Sequence, residues 1–168
     1  MCCTVELQLP LETYCLDHVY GDHLESLAHE RNRVCEVSRL AVDPAFRRRP
    51  GERYTRLHGF DAMDCSRLEQ RTFSMISLAA VLAGFAMSSL TDRTRIYTMM
   101  ETNLPRLLRR AGIQMQEAGN SMDYHGQRSP YFITTDFALD NMREDLLRMY
   151  DVVYARLAFN SSAREHVA

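Results

Sequence analysis

The sequence predicts an α/β protein with a mixed central sheet and a crossover helix, and three features support this class. Residues 4–9 and 34–42 have the alternation or β-branched content of strands. Residues 72–91 carry no charge and separate these segments from another strand-like segment at 95–100. At 168 residues the chain is long enough for one core. We expect a single domain over residues 1–158 and a flexible tail over 159–168.

The first two strands follow from local pattern. Residues 4–9 alternate apolar and polar side chains and stop at Pro10, as a half-buried strand does. Residues 11–33 are polar and rich in His, which indicates a loop with room for a short helix. Residues 34–42 form the second predicted strand, which ends before the Asp-Pro pair at 43–44.

The uncharged stretch at 72–91 allows two interpretations. It is long enough to raise the question of a membrane span. Its serines, alanines and Gly84 lower its hydrophobicity, and polar segments flank it. We therefore favour a helix buried against the sheet, because its small residues permit close packing. The preceding residues 47–63 indicate a long loop or the entry to a helix.

The second half begins with a turn at 92–94 and a strand at 95–100. Asn103 is a plausible N-cap for a short helix with Pro105 in its first turn, and Gly112 closes it.

Two further strands are predicted at 113–122 and 131–135, followed by a last helix that Asp136 caps and that ends at Leu157. One apolar stripe marks that helix: Phe137, Met142, Leu146, Met149, Tyr150 and Val153.

Composition excludes several classes of function. The formal net charge of −2 gives no global attraction to nucleic acid. All 20 basic residues are Arg, so a lysine nucleophile or Schiff base is excluded. The five Cys have no CxxC spacing, which favours free thiols in a reducing, cytoplasmic compartment and no metal site. The N-terminus lacks the pattern of a signal peptide.

The second predicted strand carries polar side chains where apolar ones are expected. Strand alternation places Glu36 and Ser38 about 7 Å apart on one face, with Leu40 and Val42, and places Arg39 on the other face. A half-buried carboxylate can serve as a general base in a cleft. The alternative is a structural ion pair with an arginine, and spacing alone favours the ion pair.

A basic turn follows that strand directly, and its residues are Phe46, Arg47, Arg48 and Arg49. Guanidinium groups just past a strand end can bind phosphate, although an ordinary solvated turn is the alternative. Glu101 lies just past the predicted third strand. If the two strands are parallel neighbours, Glu36, the basic turn and Glu101 should line one cleft at the carboxyl ends of the strands.

The segment DYHGQRSPY at 123–131 places His125 and Arg128 around Gly126 in a hairpin-like connection. His125 could act as an acid or base, or it could be an exposed side chain of an ordinary turn. The chain contains no GxSxG nucleophile turn and no Gly-rich phosphate loop of a known type.

Three segments together resemble a known bacterial family: CEVSRLAVDPAFRRR, YTMMETNLPRLLRRAGI and DYHGQRSPYFI. In this order and spacing they resemble the acyltransferases associated with the PEP-CTERM/exosortase system. They are similar, more distantly, to acyl-homoserine-lactone synthases and N-acyl amino acid synthases. The resemblance covers residues from about 5 to about 157 and implies a GNAT-like mixed sheet flanked by helices.

This resemblance implies transfer of a fatty acyl group from an acyl carrier protein or coenzyme A thioester to a small amine, without a tightly bound cofactor. Glu36 matches the acidic residue that assists deprotonation of the amine. Ser38 and Arg39 match its companions in the motif. The basic turn at 46–49 occupies the place where the fold meets the phosphopantetheine phosphate. The catalytic candidates are therefore Glu36, Ser38 and Glu101. The substrate-binding candidates are Arg39, His125 and Arg128.

In the resembled fold, further elements precede the strand at 4–9, so we expect an N-terminally incomplete fold and possible homodimerisation. Two alternatives stay open beside an N-acyltransferase. One is an autoinducer synthase, and the other is a non-catalytic module that binds acyl groups or their carrier.

Overall fold

A computed structural model of the chain describes residues 3–8, 32–42, 75–123 and 126–165. The strands are β1 Cys3–Gln8, β2 Val34–Val42, β3 Arg95–Glu101, β4 Gln116–Glu117, β5 Met122–Asp123 and β6 Gln127–Thr134. The helices are α1 Met75–Leu90, α2 Leu104–Arg110, α3 Thr135–Asn141 and α4 Glu144–Glu165.

The described strands form one mixed sheet in the order β1-β2-β3-β6-β4, with β5 also paired to β6. β2 and β3 are parallel, and every other pairing is antiparallel. Helix α1 lies between β2 and β3 in the chain, as a crossover between parallel neighbours requires. The predicted α/β class, with a mixed sheet flanked by helices, is confirmed.

Helix α1 is the buried helix that the uncharged stretch predicts, and it packs on β1, β2 and α4. At Gly84 it lies close against the sheet, because an added Cβ there would be 3.0 Å from Val37 Cγ1. The small residues therefore bring the helix axis close to the strands. Within the described ranges, no helix is both long and apolar enough to cross a membrane.

The main core fills the space between the sheet and helices α1, α3 and α4. It includes Cys35, Leu82, Phe85, Ile96, Ile133, Leu146 and Tyr150. A smaller cluster of Val34, Tyr97 and Ala118, joined by Met99 and Phe132, contains the alternate residues of β2, β3 and β6. Strand alternation therefore puts this cluster on the sheet face opposite α1.

Helix α2 begins after Asn103, as predicted, but the Asn103 side chain makes no capping hydrogen bond. Pro105 lies in the first turn. Gly112 follows the helix with φ +85°, and a Cβ there would collide with the carbonyl of Asn141. Glycine is therefore required at this position for both its backbone angle and its packing.

The prediction of a continuous strand at 113–122 is wrong. Only β4 and β5 are extended there, and both pair with β6. Ala118, Gly119 and Asn120 interrupt the segment, and the Ala118 N–H donates to the Pro130 carbonyl over 2.9 Å. The strand expected at 131–135 begins earlier, at Gln127.

The last predicted helix is two helices, not one. Thr134, rather than Asp136, caps α3, because its hydroxyl accepts from the Phe137 N–H over 3.3 Å. The chain becomes extended at Met142, and α4 then continues to Glu165, eight residues past the predicted end. Residues 159–165 of the expected flexible tail are thus helical. The break also moves Phe137 out of the buried stripe, since 44% of it is exposed.

Candidate active site

The central feature of the sheet is a gap between its two parallel strands. β2 and β3 pair at Val34 with Arg95, Cys35 with Ile96 and Glu36 with Tyr97, and no later pairs join them. Both strands nevertheless continue, β2 to Val42 and β3 to Glu101. We call the space between residues 37–42 and 98–101 the wedge. Diverging strand edges direct backbone N–H and C=O groups toward such a gap, where a ligand can pair with them.

A bulge distorts β2 inside the wedge. Thr4 pairs with Ala41 and Glu6 with Ser38, so β2 has one more residue than β1 between these two pairs. Arg39 lies in this extra stretch with φ 53°, an uncommon angle for a residue with a side chain. The strained residue therefore lies in the strand segment that contains the predicted site residues. Strained backbone conformations are often found at functional sites.

The bulge corrects one prediction about the faces of β2. Before it, Glu36 and Ser38 share the face opposite α1, as alternation predicts. After it, the extra residue reverses the alternation. Val42 is buried, at 8% exposed, while Leu40 is 37% exposed, so these two residues do not continue the face of Glu36. Arg39 is exposed rather than packed with Val37.

Glu36 is half-buried and belongs to the last pair before the wedge opens. Ser38 is half-buried as a residue, but its Oγ atom is fully buried and has no hydrogen-bond partner in the described part of the chain. A half-buried carboxylate and a buried hydroxyl therefore stand two residues apart on one sheet face. This arrangement can accept a proton and donate a hydrogen bond to one bound molecule.

Tyr97 is a site residue that sequence reasoning missed. It pairs with Glu36, is 2% exposed, and its ring centroid lies 5.0 Å from that of Phe132. Burial raises the pKa of Tyr97 to about 12, and nearby Arg95 offsets this in part. The phenol is therefore neutral at physiological pH. The sequence alone carries no direct signal for it, because the pairing of Tyr97 with Glu36 depends on the register of the two strands.

Cys35 precedes Glu36 but belongs to the main core. Its thiol donates to the Arg93 carbonyl over 3.1 Å, and burial raises its pKa to about 12. A thiol that stays protonated is a poor nucleophile and a poor metal ligand. We therefore assign Cys35 to packing. Among the described residues, no group of His, Cys, Asp and Glu could hold a metal ion.

Glu101 and Arg128 are opposite each other on β3 and β6, on the same face as Tyr97. Glu101 is four positions after Tyr97, or roughly 13 Å along the strand. The structure therefore places Glu101 at the far end of the wedge and does not bring it to Glu36. Arg128 is half-buried, and its Nε atom is buried without a hydrogen-bond partner in the described ranges.

The remaining predicted site residues lie outside the described ranges. They are His125 and the basic turn of Phe46, Arg47, Arg48 and Arg49. Next to His125, the Gly126 N–H donates to Asp123 Oδ1 over 3.2 Å and Gly126 has φ 101°. β2 ends at Val42, so the basic turn follows the wedge in sequence.

The mixed sheet with a wedge between its parallel strands has the fold of acyl-homoserine lactone synthases. The CoA-dependent acyl-homoserine lactone synthase MesI superposes with a TM-score of 0.54 at 15% identity, over 92% of this chain and 63% of MesI. TofI, in a ternary complex with an inhibitor and MTA, gives 0.52 at 15% identity, over 86% of this chain and 65% of TofI. The chain thus spans less than two thirds of either protein, and the likeness shows the fold.

A family relationship is indicated for part of the chain. The family described as N-acyl amino acid synthase FeeM matches residues 1–63, which include β1, β2 and the basic turn. No functionally curated protein matches the chain. The family and the superposed structures both take their names from synthases of acylated products.

Proposed function

We propose that the protein is an N-acyltransferase that moves a fatty acyl group from a thioester to a small amine such as an amino acid. The wedge that opens at Glu36 carries this proposal, because it combines a half-buried acidic residue with diverging strand edges. The likeness to synthases of acylated products supports it. The described strands share one sheet, so we assign the activity to a single domain that includes the whole of α4.

The reaction needs a base, support for an oxyanion and a channel for the donor. The acceptor ammonium first gives one proton to a base, and its nitrogen then attacks the thioester carbonyl carbon. A carbon–nitrogen bond forms and the carbonyl electron pair moves onto oxygen. When this intermediate collapses, the carbon–sulfur bond breaks and the sulfur leaves with the electron pair. The nitrogen's second proton ends on that thiolate, which yields an amide and a free thiol.

Glu36 is the proposed base. The residue is half-buried, so its side chain is partly withdrawn from water at the point where the wedge opens. A single carboxylate at hydrogen-bond distance from an amine, or one water away, is sufficient for this proton transfer. Glu101 is too far along β3 to act on the same nitrogen. We propose that Glu101 and Arg128 contact the acceptor at the entrance, where Arg39 and His125 also contribute.

The donor is an acyl carrier protein or coenzyme A thioester, and its pantetheine arm would lie extended in the wedge. Its amides can pair with the strand edges that part after Glu36 and Tyr97. The basic turn at 46–49 would hold the phosphate. A second group of exposed arginines lies on α2, just past the end of β3: Arg106, Arg109 and Arg110. Both groups would attract an acidic carrier protein.

Two other functions remain as rivals. An acyl-homoserine lactone synthase shares the fold. A non-catalytic binder of acyl groups would use the same wedge without turnover.

The proposal includes an association with the PEP-CTERM/exosortase system, which rests on the three sequence segments. We also propose a cytoplasmic location, because the thioester donors are made there, and assembly as a homodimer.

Turnover separates these functions. The purified full chain is incubated with decanoyl-coenzyme A or decanoyl acyl carrier protein and a mixture of amino acids. Free thiol is followed by colorimetry, and products are identified by mass spectrometry. N-Acyl amino acids are expected, together with stoichiometric thiol release. Binding of the donor without thiol release would support the non-catalytic rival and overturn the proposal.

The autoinducer alternative is tested in cells. The chain is expressed in a bacterium that makes no acylated signals, and lipid extracts are analysed by mass spectrometry. N-Acyl amino acids that require Glu36 support the proposal. Acyl-homoserine lactones that require Glu36 would instead assign the chain to the autoinducer class.

A further inference from the structure

Ser38 differs from the other buried hydroxyls in the described chain. Ser88 and Thr135 hydrogen-bond to each other, and Thr135 also donates to the Thr94 carbonyl. Ser38 Oγ is the only hydroxyl oxygen among the buried side-chain atoms without a partner in the described ranges; the rest are arginine Nε atoms. Burying a hydroxyl without a hydrogen bond costs free energy, so such a group calls for an explanation.

The position of Ser38 suggests what could satisfy it. It lies in the wedge, beyond the last β2–β3 pair and before the bulge at Arg39. Alternation between Glu36 and Ser38 is therefore intact, and the two side chains stand about 7 Å apart on one face. A molecule bound between them would meet a carboxylate at one end and a hydroxyl at the other.

We propose that Ser38 Oγ donates a hydrogen bond to the thioester carbonyl oxygen and holds it as the oxyanion forms, an inference that rests on the proposed acyl transfer. The spacing fits this role. One hydrogen bond of about 2.8 Å from Glu36 to the amine and another from Ser38 to the oxygen, with the nitrogen–carbon–oxygen unit between them, span roughly 7–8 Å. Ser38 keeps its proton throughout, and the charge returns to carbonyl as the carbon–sulfur bond breaks.

Ser38 Oγ is unpaired in the described part of the free protein, so it gives up no hydrogen bond there when it donates to the oxyanion. Such preorganised donors are among the largest contributions to catalysis of acyl transfer. The alternative is that Ser38 only fills space beneath a covering side chain. The two explanations predict different effects of Ser38→Ala on stability. Removal of an unpartnered hydroxyl should not destabilise the fold, whereas loss of a space-filling group should.

The test compares Ser38→Ala, Ser38→Thr and wild type with decanoyl-coenzyme A and amino acids. Ser38→Ala is expected to lower kcat about 100-fold. It should leave KM for the donor within about twofold, because the lost contact forms in the transition state. Its Tm should be equal to or higher than that of wild type. Ser38→Thr keeps the hydroxyl and should retain most of the activity. Ser161→Ala, on the exposed part of α4, is the matched control and should change nothing.

Two results would overturn the inference. One is a Ser38→Ala protein with kcat within about threefold of wild type. The other is a lowered Tm in the Ser38→Ala protein, combined with a Ser38→Thr protein that is inactive and equally destabilised. That combination would indicate that Ser38 has only a packing role. A wild-type chain that binds donor without turnover refutes acyl transfer itself and the Ser38 role with it. An active wild type with an active Ser38→Ala variant refutes only the role of Ser38.

Discussion

Glu36 and Tyr97 form the last backbone pair between β2 and β3, and the two strands part immediately after them. A titratable carboxylate therefore stands where the sheet opens, beside a buried neutral phenol. The pair marks the inner end of the wedge, and Glu101 marks its outer end on β3. Reaction at the inner end would keep the acyl carbonyl away from bulk water.

Replacement of Glu36 by Gln should remove the proposed base while preserving size. We expect kcat/KM to fall between about 10²-fold and 10⁴-fold, the usual contribution of a general base. Steady-state thiol release measures this. Glu117→Gln, on exposed β4, is the matched control and should retain activity. Full activity of the Glu36→Gln protein would remove Glu36 from the mechanism.

Charge reversal on α2 should separate the two kinds of donor. Arg109→Glu is expected to raise KM for decanoyl acyl carrier protein, most strongly at low salt, because an acidic carrier loses its attraction. KM for decanoyl-coenzyme A should change much less. Arg156→Glu, an exposed position on α4, serves as the control. An equal effect on both donors, or none on the carrier, contradicts the docking role of α2.

Gly84 should not tolerate a large side chain. A Cβ at this position would already lie 3.0 Å from Val37 Cγ1, so Gly84→Leu must push α1 away from β2. Overpacking of this kind costs about 1–3 kcal/mol. The free energy of unfolding in urea measures the effect. The loss should be smaller in a Val37→Ala background, and equal losses in both backgrounds would contradict the contact.

Alkaline pH should destabilise the fold through buried acids. Burial raises the pKa of Tyr97 and of Cys35 to about 12 each, from ordinary values of 10.0 and 9.0. The unfolded chain therefore loses these protons first. Their stabilisation is complete below pH 9 and declines as the pH rises toward 12, by up to about 1.4 kcal/mol per pH unit for each group.

Urea unfolding at a series of pH values tests this sign. Tyr97→Phe removes one of the groups, so its stability should decline less steeply than that of wild type above pH 10. Val152→Ala, at an exposed position of α4, removes no titratable group; it is the control and should follow the wild-type curve. Stability that rises with pH in this range would contradict the assigned shifts.

The hydrogen bond between Ser88 and Thr135 should contribute measurably to stability, because both hydroxyls are buried. Ser88→Ala leaves Thr135 with the longer contact to the Thr94 carbonyl, at 3.4 Å. We expect a loss of about 1–3 kcal/mol in the free energy of unfolding. Ser162→Ala on α4 is the exposed comparison. A Ser88→Ala protein as stable as wild type would show that the bond contributes nothing.

Strong local patterns predicted most of the fold. β2 has the predicted bounds of 34–42, and α1 lies within the uncharged stretch at 72–91. The errors arose where tertiary context decides. Residues 113–122 have strand propensity, but the turn at Gly119 and Asn120 breaks them into β4 and β5. The last helix breaks at Met142, a residue that favours helix and gives no local sign of the break.

The candidate site was predicted in part. Alternation correctly put Glu36 and Ser38 on one face, since nothing interrupts the strand between them. It failed beyond Arg39, because a bulge depends on pairing with β1 and has no signature in β2 alone. Tyr97 was missed because it reads as an ordinary apolar strand residue. Its importance follows only from its register with Glu36.

The brevity of the β2–β3 contact has a mechanical consequence. In the described sheet, β1 and β2 are joined to β3, β6 and β4 by three residue pairs, all at one end. A connection this short can act as a hinge. Helix α1 links the two sides of this hinge, because it lies between β2 and β3 in the chain. Twisting of the β1–β2 ribbon would widen or narrow the gap without breaking any pair. In the proposed reaction, such a motion would open the wedge to the pantetheine arm of the donor and then narrow it around the bound arm.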